Sequence, residues 1–155
     1  MKINWKVLIL SLIIVFAVAL LGSLFTSPNT NTEWYQQIKP LITPPSYIFP
    51  IVWNILFFLI TISLYLSWTS SSKKQKPKLV VVFAINFVLN ILWSIIFFGM
   101  KNPTLAFAEL IIFWLSIIFM ITTTYKINKT SSYLLIPYLL WVTFAGVLNY
   151  LIAFG

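Results

Sequence analysis

Five long apolar segments constrain the fold of this chain more than any other feature. Each is close to the ~20 residues with which an α-helix crosses the ~30 Å hydrocarbon core of a bilayer. Together they take up most of the 155 residues, so no sizeable soluble domain is left. The sequence therefore predicts an all-α integral membrane protein, one domain over 1–155, with a long first loop outside the membrane at about 27–46. The predicted helices of this five-helix bundle cover 7–25, 47–68, 79–98, 104–125 and 133–154.

The composition supports this interpretation. Soluble domains carry roughly a quarter charged residues, whereas this chain is 8% charged and 61% hydrophobic. Lys2 and Lys6 precede the first apolar segment, as they would in a secretory signal peptide. The segment is longer than a typical ~7–15-residue signal core, and no small-x-small cleavage site follows Phe25. We therefore expect a retained helix.

The lysines indicate how the helices are oriented. All ten basic residues are Lys, and five spans place most of them on one side, in the N-terminus and the second and fourth loops. The positive-inside rule then predicts a cytoplasmic N-terminus, with the first loop and the C-terminus outside. No Arg is present for bidentate contacts to phosphates or bases, so we expect no nucleic-acid partner despite the net charge of +8. Anionic-lipid binding is an alternative for the cluster Lys73, Lys74, Lys76 and Lys78.

Several kinds of chemistry are excluded because the chain contains no Cys, His or Asp. Disulfides, zinc sites and His-activated nucleophiles cannot form, and a haem iron would have only Tyr or Met as an axial ligand. Glu109 is the only acidic residue inside a predicted span, which makes it a functional candidate. The alternative is a structural carboxyl near a helix N-terminus, hydrogen-bonded to a neighbour.

The first loop and the start of the second helix are rich in proline and aromatic residues. Pro40, Pro44 and Pro45 stiffen the backbone, and a stiff segment loses less entropy when it closes over a ligand. Trp34 and Tyr35 add amphipathic rings. We therefore predict that this loop, called the lid below, covers a ligand pocket. An ordinary interfacial aromatic belt is the alternative.

Three predicted helices each carry a stripe that combines Trp with Asn. Asn in hydrocarbon is costly unless it is paired, so these stripes must face the bundle or a cavity. If the stripes converge, they form an aromatic-walled cavity suited to a large, flat, poorly soluble molecule rather than to an ion or a sugar. Interhelical hydrogen bonding and close helix packing are the alternatives. The stripes are Trp53, Asn54 and Phe57; Asn86, Asn90, Trp93, Ser94 and Phe97; and Tyr138, Trp141, Ala145 and Asn149.

Motifs along nearly the whole chain resemble one known family. They are Trp34-Tyr35 with Pro40, Pro44-Pro45, Pro50 and Trp53; Asn90 and Trp93 with Phe97-Phe98-Gly99; Leu105-Ala106 with Ala108-Glu109-Leu110; and Pro137-Tyr138 with Trp141, Phe144-Ala145 and Leu148-Asn149-Tyr150. On these motifs the chain resembles a bacterial member of the tryptophan-rich sensory protein/translocator protein family (TspO/MBR), which includes the mitochondrial peripheral benzodiazepine receptor.

The resemblance implies a membrane receptor or sensor, often a homodimer, with a pocket that opens toward the lid. Its implied ligands are porphyrins, such as protoporphyrin IX and haem-like tetrapyrroles, and hydrophobic drugs of the benzodiazepine and isoquinoline carboxamide types. No cofactor is required, because the tetrapyrrole is itself the ligand. The ligand-binding residues implied in this way are Trp34, Tyr35, Pro44, Pro45, Ile48, Phe49, Trp53, Phe57, Asn86, Asn90, Trp93, Ser94, Leu110, Tyr138, Trp141 and Ala145.

Two further functions stay open at this point. Some bacterial relatives are associated with light-dependent breakdown of protoporphyrin. The same activity here would make Trp53 and Trp141 the catalytic residues, since their indoles would quench or donate electrons to the excited ring. The other alternative is a transporter of porphyrin or sterol-like lipids.

Two departures from the family pattern limit what the resemblance implies. The family's proposed cholesterol motif needs a basic residue after its Tyr, and none follows Tyr150 in this sequence. We therefore do not expect cholesterol recognition by that route. The third predicted helix also has no Gly-x-x-x-Gly, so the sequence does not support a dimer packed through that helix by close glycine contact.

Overall fold

The computed structural model describes residues 2–155 and is built from helices joined by short connections. No strand occurs within this part of the chain. Five helical segments are long and apolar enough to cross a membrane, which confirms the predicted all-α fold with five spans. The helices are α1 Trp5–Thr26, α2 Glu33–Ile38, α3 Ile48–Ser70, α4 Lys76–Ser94, α5 Pro103–Tyr125, α6 Lys129–Tyr133 and α7 Ile136–Phe154, and one π-helical turn, Ile95–Gly99, continues α4.

Two of these elements differ from the sequence-based expectation. The lid contains the short helix α2, which the sequence analysis did not anticipate. The fifth spanning segment begins at Lys129 rather than at 133, and it consists of α6 and α7 with a break between them. Both short helices have a side-chain cap, since Thr32 accepts from the Tyr35 N–H and Asn128 from the Ser131 N–H.

The helices form a bundle in which close packing does not simply follow the order of the helices in the sequence. α5 packs extensively against both α4 and α7, and α1 packs against α3 and α4. In contrast, α3 and α7 make little contact with each other. The bundle is therefore tightly packed around α5 and α1, whereas α3 makes few contacts with α4 and with α7.

The two halves of the bundle are filled differently. We call the end that carries Lys73, Lys74, Lys76, Lys126 and Lys129 the lysine end, and the opposite end the lid end. Side chains without solvent exposure fill the middle and the lysine end. They include Val15, Ile60, Leu79, Ile117, Met120 and Leu135.

Three buried serines join α6 to α3 at the lysine end. The Ser63 hydroxyl donates to the Ser131 carbonyl at 2.8 Å, and the Ser131 hydroxyl donates to the Ser63 carbonyl at 2.7 Å. The Ser67 hydroxyl is hydrogen-bonded to the Ser131 hydroxyl. Because a polar group without a partner is costly in hydrocarbon, this reciprocal arrangement fixes the position of the short helix α6.

Replacing Ser131 with Ala tests this joint. The change removes every side-chain hydrogen bond of Ser131 and leaves the Ser67 hydroxyl without its partner, so we expect the free energy of unfolding to fall by about 1–2 kcal/mol. Reversible unfolding by SDS in mixed micelles measures this quantity. Thr122→Ala is the control, because Thr122 is exposed and its hydroxyl bonds only to its own helix. If both variants lost the same free energy of unfolding, the serine hydrogen bonds would not be what holds α6 on α3.

Candidate functional site

A cavity of about 660 Å³ occupies the lid half of the bundle. Its volume falls within the range of roughly 300–1,000 Å³ that is usual for small-molecule sites. α1, α3, α4, α5 and α7 form the walls, and the lid forms the roof. Residues from each predicted stripe line it, so the stripes do converge. The implied ligand-binding residues found in its lining are Tyr35, Pro44, Phe49, Trp53, Phe57, Asn90, Trp93, Ser94, Leu110, Trp141 and Ala145.

Five of the implied residues do not line the cavity. Trp34 lies on the lid and packs edge-on against Phe97, with ring centroids 5.9 Å apart. Pro45 is exposed and Ile48 half-buried, both next to the start of α3. Asn86 and Tyr138 are fully buried behind the wall.

A chain of hydrogen bonds explains the positions of Asn86 and Tyr138. The Asn90 amide donates to the Tyr138 hydroxyl at 3.0 Å, and that hydroxyl donates to Asn86 Oδ1 at 3.0 Å. The Asn86 amide then donates to Ser116 Oγ at 2.8 Å. Asn86 is one helical turn farther from the lid than Asn90, so it shares the face of Asn90 but lies below the cavity floor. Both residues therefore orient Asn90, which does reach the wall.

Aromatic rings make up much of the wall. Trp53 stacks on Phe57 with ring centroids 5.4 Å apart and an interplanar angle of 28°. Trp93 stacks on Phe97 at 4.9 Å, and its indole N–H donates to Asn149 Oδ1 at 3.0 Å. Trp141 meets Phe49 edge-on at 5.8 Å. These faces offer flat, polarisable surfaces to a planar ligand.

A second polar joint holds the rim of the cavity. Asn149 accepts from Trp93 and donates through its amide to the Pro103 carbonyl at 2.8 Å. This links α4, α7 and the first turn of α5 at the lid end. Trp93 is consequently fixed in orientation, unlike the other two cavity tryptophans.

The lid is folded onto the bundle through its helix α2. Tyr35 packs against Phe98 at 5.5 Å and against Phe97 at 6.3 Å between ring centroids. Both Phe side chains are buried although they are adjacent in sequence, because the π-helical turn alters the α-helical spacing at this point. Burial raises the pKa of the Tyr35 hydroxyl above its usual value of 10.0. The hydroxyl is therefore neutral at physiological pH, and the lid docks through an uncharged aromatic contact.

Two buried hydrogen-bonding side-chain atoms of cavity residues have no partner within residues 2–155. They are the buried Thr43 hydroxyl, on the lid, and the buried indole N–H of Trp141. Both carboxyl oxygens of Glu109 are likewise buried without a partner, although Glu109 is not part of the cavity lining. The hydrogen-bonded structural role considered for Glu109 is therefore not found.

Sequence reasoning missed the α1 wall. Ala19, Gly22, Ser23 and Thr26 line the cavity from one face of α1. Their spacing of three and four residues is that of a helical face, which is a signal in the sequence. Small side chains on a helix are compatible with close helix packing, whereas here they leave open space beside α1.

Comparison with known proteins agrees with this architecture. The sequence pattern of the TspO/MBR family matches residues 11–154. The tryptophan-rich protein TspO of Archaeoglobus fulgidus is 38% identical over 146 residues, which cover 94% of each chain. The tryptophan-rich sensory protein of Cereibacter sphaeroides is 28% identical and covers 97% of this chain and 91% of its own. The translocator protein of Bos taurus is 28% identical over 84% of this chain and 78% of its own.

The family match begins within the first of the five apolar helices and extends through the other four, and these helices account for most of the described residues. This chain therefore belongs to the TspO/MBR family and is an integral membrane protein that crosses the bilayer several times.

Proposed function

We propose that the protein is a membrane receptor for large planar hydrophobic molecules. Its ligands are protoporphyrin IX and related tetrapyrroles, and benzodiazepine- or isoquinoline carboxamide-type drugs occupy the same cavity. One observation carries this proposal: a cavity of about 660 Å³ that is walled by aromatic rings and roofed by the lid. The family resemblance supports the ligand class, and a relative named as a sensory protein supports the receptor role.

The polar groups of the cavity suit a ligand with hydrogen-bond acceptors on its edge. The Trp141 indole N–H and the Thr43 hydroxyl are buried and free to donate. Lys39 also lines the cavity from the lid, and neither Glu33 nor Glu109 does. A cation without a carboxylate beside it favours an anionic group, such as a porphyrin propionate, near the roof. An amide carbonyl of a drug offers an acceptor to the same donors.

Light- and oxygen-dependent breakdown of bound protoporphyrin is a second candidate function. It is favoured because both Trp53 and Trp141 lie in the cavity lining, where their oxidisable indoles would contact a bound ring. The porphyrin carries its own photochemistry, so the protein needs to supply only orientation and shielding.

Transport receives less support. A transporter alternates access to its site between the two sides of the membrane. The bundle is closely filled between the cavity and the lysine end, and the serine joint lies there as well. The orientation with the lid outside and the homodimeric assembly stay predictions from the lysine distribution and from the family resemblance.

Ligand binding should depend on Trp53 and Trp141. In a Trp53→Leu/Trp141→Leu variant we expect the Kd for protoporphyrin IX to rise roughly 100-fold, since the loss of two aromatic wall contacts costs about 3 kcal/mol. Titration of reconstituted protein, followed through porphyrin fluorescence, measures this change. The matched control is Trp5→Leu, because Trp5 is exposed at the end of α1 remote from the lid. Unchanged affinity in the double variant would remove the cavity as the porphyrin site.

The photochemical candidate has its own test. The Trp53→Phe/Trp141→Phe variant keeps two aromatic walls but lacks the readily oxidised indoles. If the protein degrades protoporphyrin, we expect illumination in air to bleach the bound porphyrin at least tenfold more slowly in this variant than in the wild type. Absorption spectra recorded in the light, with dark and oxygen-free controls, measure the rate. Equal bleaching rates in the two proteins would rule out a catalytic role for the two indoles.

A further inference from the structure

A second, smaller concavity lies on the outside of the bundle, at the seam between α3 and α7. It is a groove of about 370 Å³, and every residue that lines it is apolar. Ile55 and Leu140, which line it from the two helices, are strongly exposed and so face the lipid. The groove is lined by Val52, Ile55, Leu56, Pro137, Leu140 and Trp141.

The groove follows a sparsely packed seam of the bundle. α7 packs mainly on α5 and α3 mainly on α1, whereas α3 and α7 touch each other only sparsely. Two aromatic pairs bridge the two helices: Phe49 with Trp141, with ring centroids 5.8 Å apart, and Trp53 with Tyr138, at 6.2 Å. Separating α3 from α7 therefore breaks far fewer contacts than separating α5 from α4 or from α7.

Trp141 lines both the groove and the internal cavity. One indole ring therefore stands between the lipid and the space proposed for the ligand. Its N–H is buried and has no acceptor within residues 2–155. The indole N–H groups of Trp93 and Trp114 are instead held by Asn149 at 3.0 Å and by Thr143 at 2.8 Å. Rotation of the Trp141 side chain breaks no hydrogen bond.

The depth of the groove indicates which phase it opens to. Asn149 lies level with the first turn of α5, because it donates to the Pro103 carbonyl. Trp141 lies about two helical turns from Asn149 toward the lysine end, which is about 12 Å along the axis. At that depth the groove opens into hydrocarbon rather than into water or headgroups.

We propose that ligands enter and leave the cavity sideways from the bilayer, through the α3–α7 seam, and that the Trp141 side chain is the gate. The proposal rests on the receptor function proposed above and identifies the source of its ligand: a flat hydrophobic molecule already dissolved in the membrane. Such a molecule occupies the apolar groove first and then passes Trp141. The lid does not have to detach from Phe97 and Phe98 during this process.

Blocking the groove tests the proposal, and the absence of native cysteines makes this straightforward. A single cysteine is placed at Ile55, on the α3 wall, or at Leu140, on the α7 wall. It is labelled in detergent with a bulky aromatic maleimide before reconstitution into vesicles. Ile112→Cys on α5 is the matched control, because Ile112 and Ile55 are similarly exposed, at 58% and 55%. Two separate blocking positions guard against a local disturbance by either label.

The measurement is the rate at which protoporphyrin IX moves from loaded vesicles to the reconstituted protein and back, followed through porphyrin fluorescence. We expect the labels at Ile55→Cys and Leu140→Cys to slow association and dissociation at least tenfold. The Kd should change less than about twofold, because a gate alters both rates alike. The label at Ile112→Cys should leave both rates unchanged.

The outcomes separate the gate from the receptor function. If the wild-type protein binds protoporphyrin and all three labelled proteins exchange it at the same rate, the ligand does not use the α3–α7 seam and the gate is overturned. The receptor function then still stands. If the wild-type protein shows no equilibrium binding of protoporphyrin, the proposed function is wrong and the gate falls with it.

Discussion

The structure depends on one constraint: a polar group in hydrocarbon needs a partner inside the protein. The few polar side chains of the spans are accordingly used as joints between helices. Ser63 and Ser131 fasten α6 to α3 at the lysine end, and Asn86 and Tyr138 connect α4 to α7 in the middle of the bundle. Asn149 joins three elements at the rim of the cavity. The polar positions that lack a partner then stand out, and two of them belong to cavity residues.

The polar joints and the buried side chains divide the molecule into a closely packed lysine half and a lid half that contains the cavity. The lysine half is filled with side chains that have no solvent exposure, among them Ile117, Met120 and Leu135. The lid half has an aromatic cavity lining, a lid docked on Phe97 and Phe98, and a weakly packed seam between α3 and α7. A receptor that takes its ligand from the membrane needs this division, because the cavity must keep its shape while one wall yields. The extensive contacts of α5 keep the shape of the cavity, and the sparse contact between α3 and α7 allows one wall to yield.

Much of the fold could be predicted from the sequence because the thickness of a bilayer sets helix length independently of tertiary contacts. Much of the cavity wall was also predictable, since Trp53, Trp93 and Trp141 lie on helical faces marked by neighbouring Asn residues. The period of a helix indicates which residues share a face but not how far each lies from the cavity, so Asn86 and Tyr138 were placed at the wall rather than behind it. Helix α2 could not be predicted from the sequence, because a helix of six residues is stable only when it packs against the rest of the protein. The α1 wall was missed because small side chains fit tight packing and open space equally well.

The π-helical turn after Ser94 changes the direction of the side chains at the lid end of the third spanning helix. Each residue of an α-helix advances the side-chain direction by roughly 100°, so one extra residue in a turn rotates everything beyond it by about that angle. The side chains of Phe97 and Phe98, which follow the start of this turn, therefore point in a different direction from the one that the face of Asn86, Asn90 and Ser94 would give them in a continuous α-helix. Asn90 and Ser94 of α4 therefore face the cavity, and Phe97 and Phe98 of the π-helical turn pack against Tyr35 of helix α2. Such a dislocation can arise by a single-codon insertion, with no change to the residues on either side.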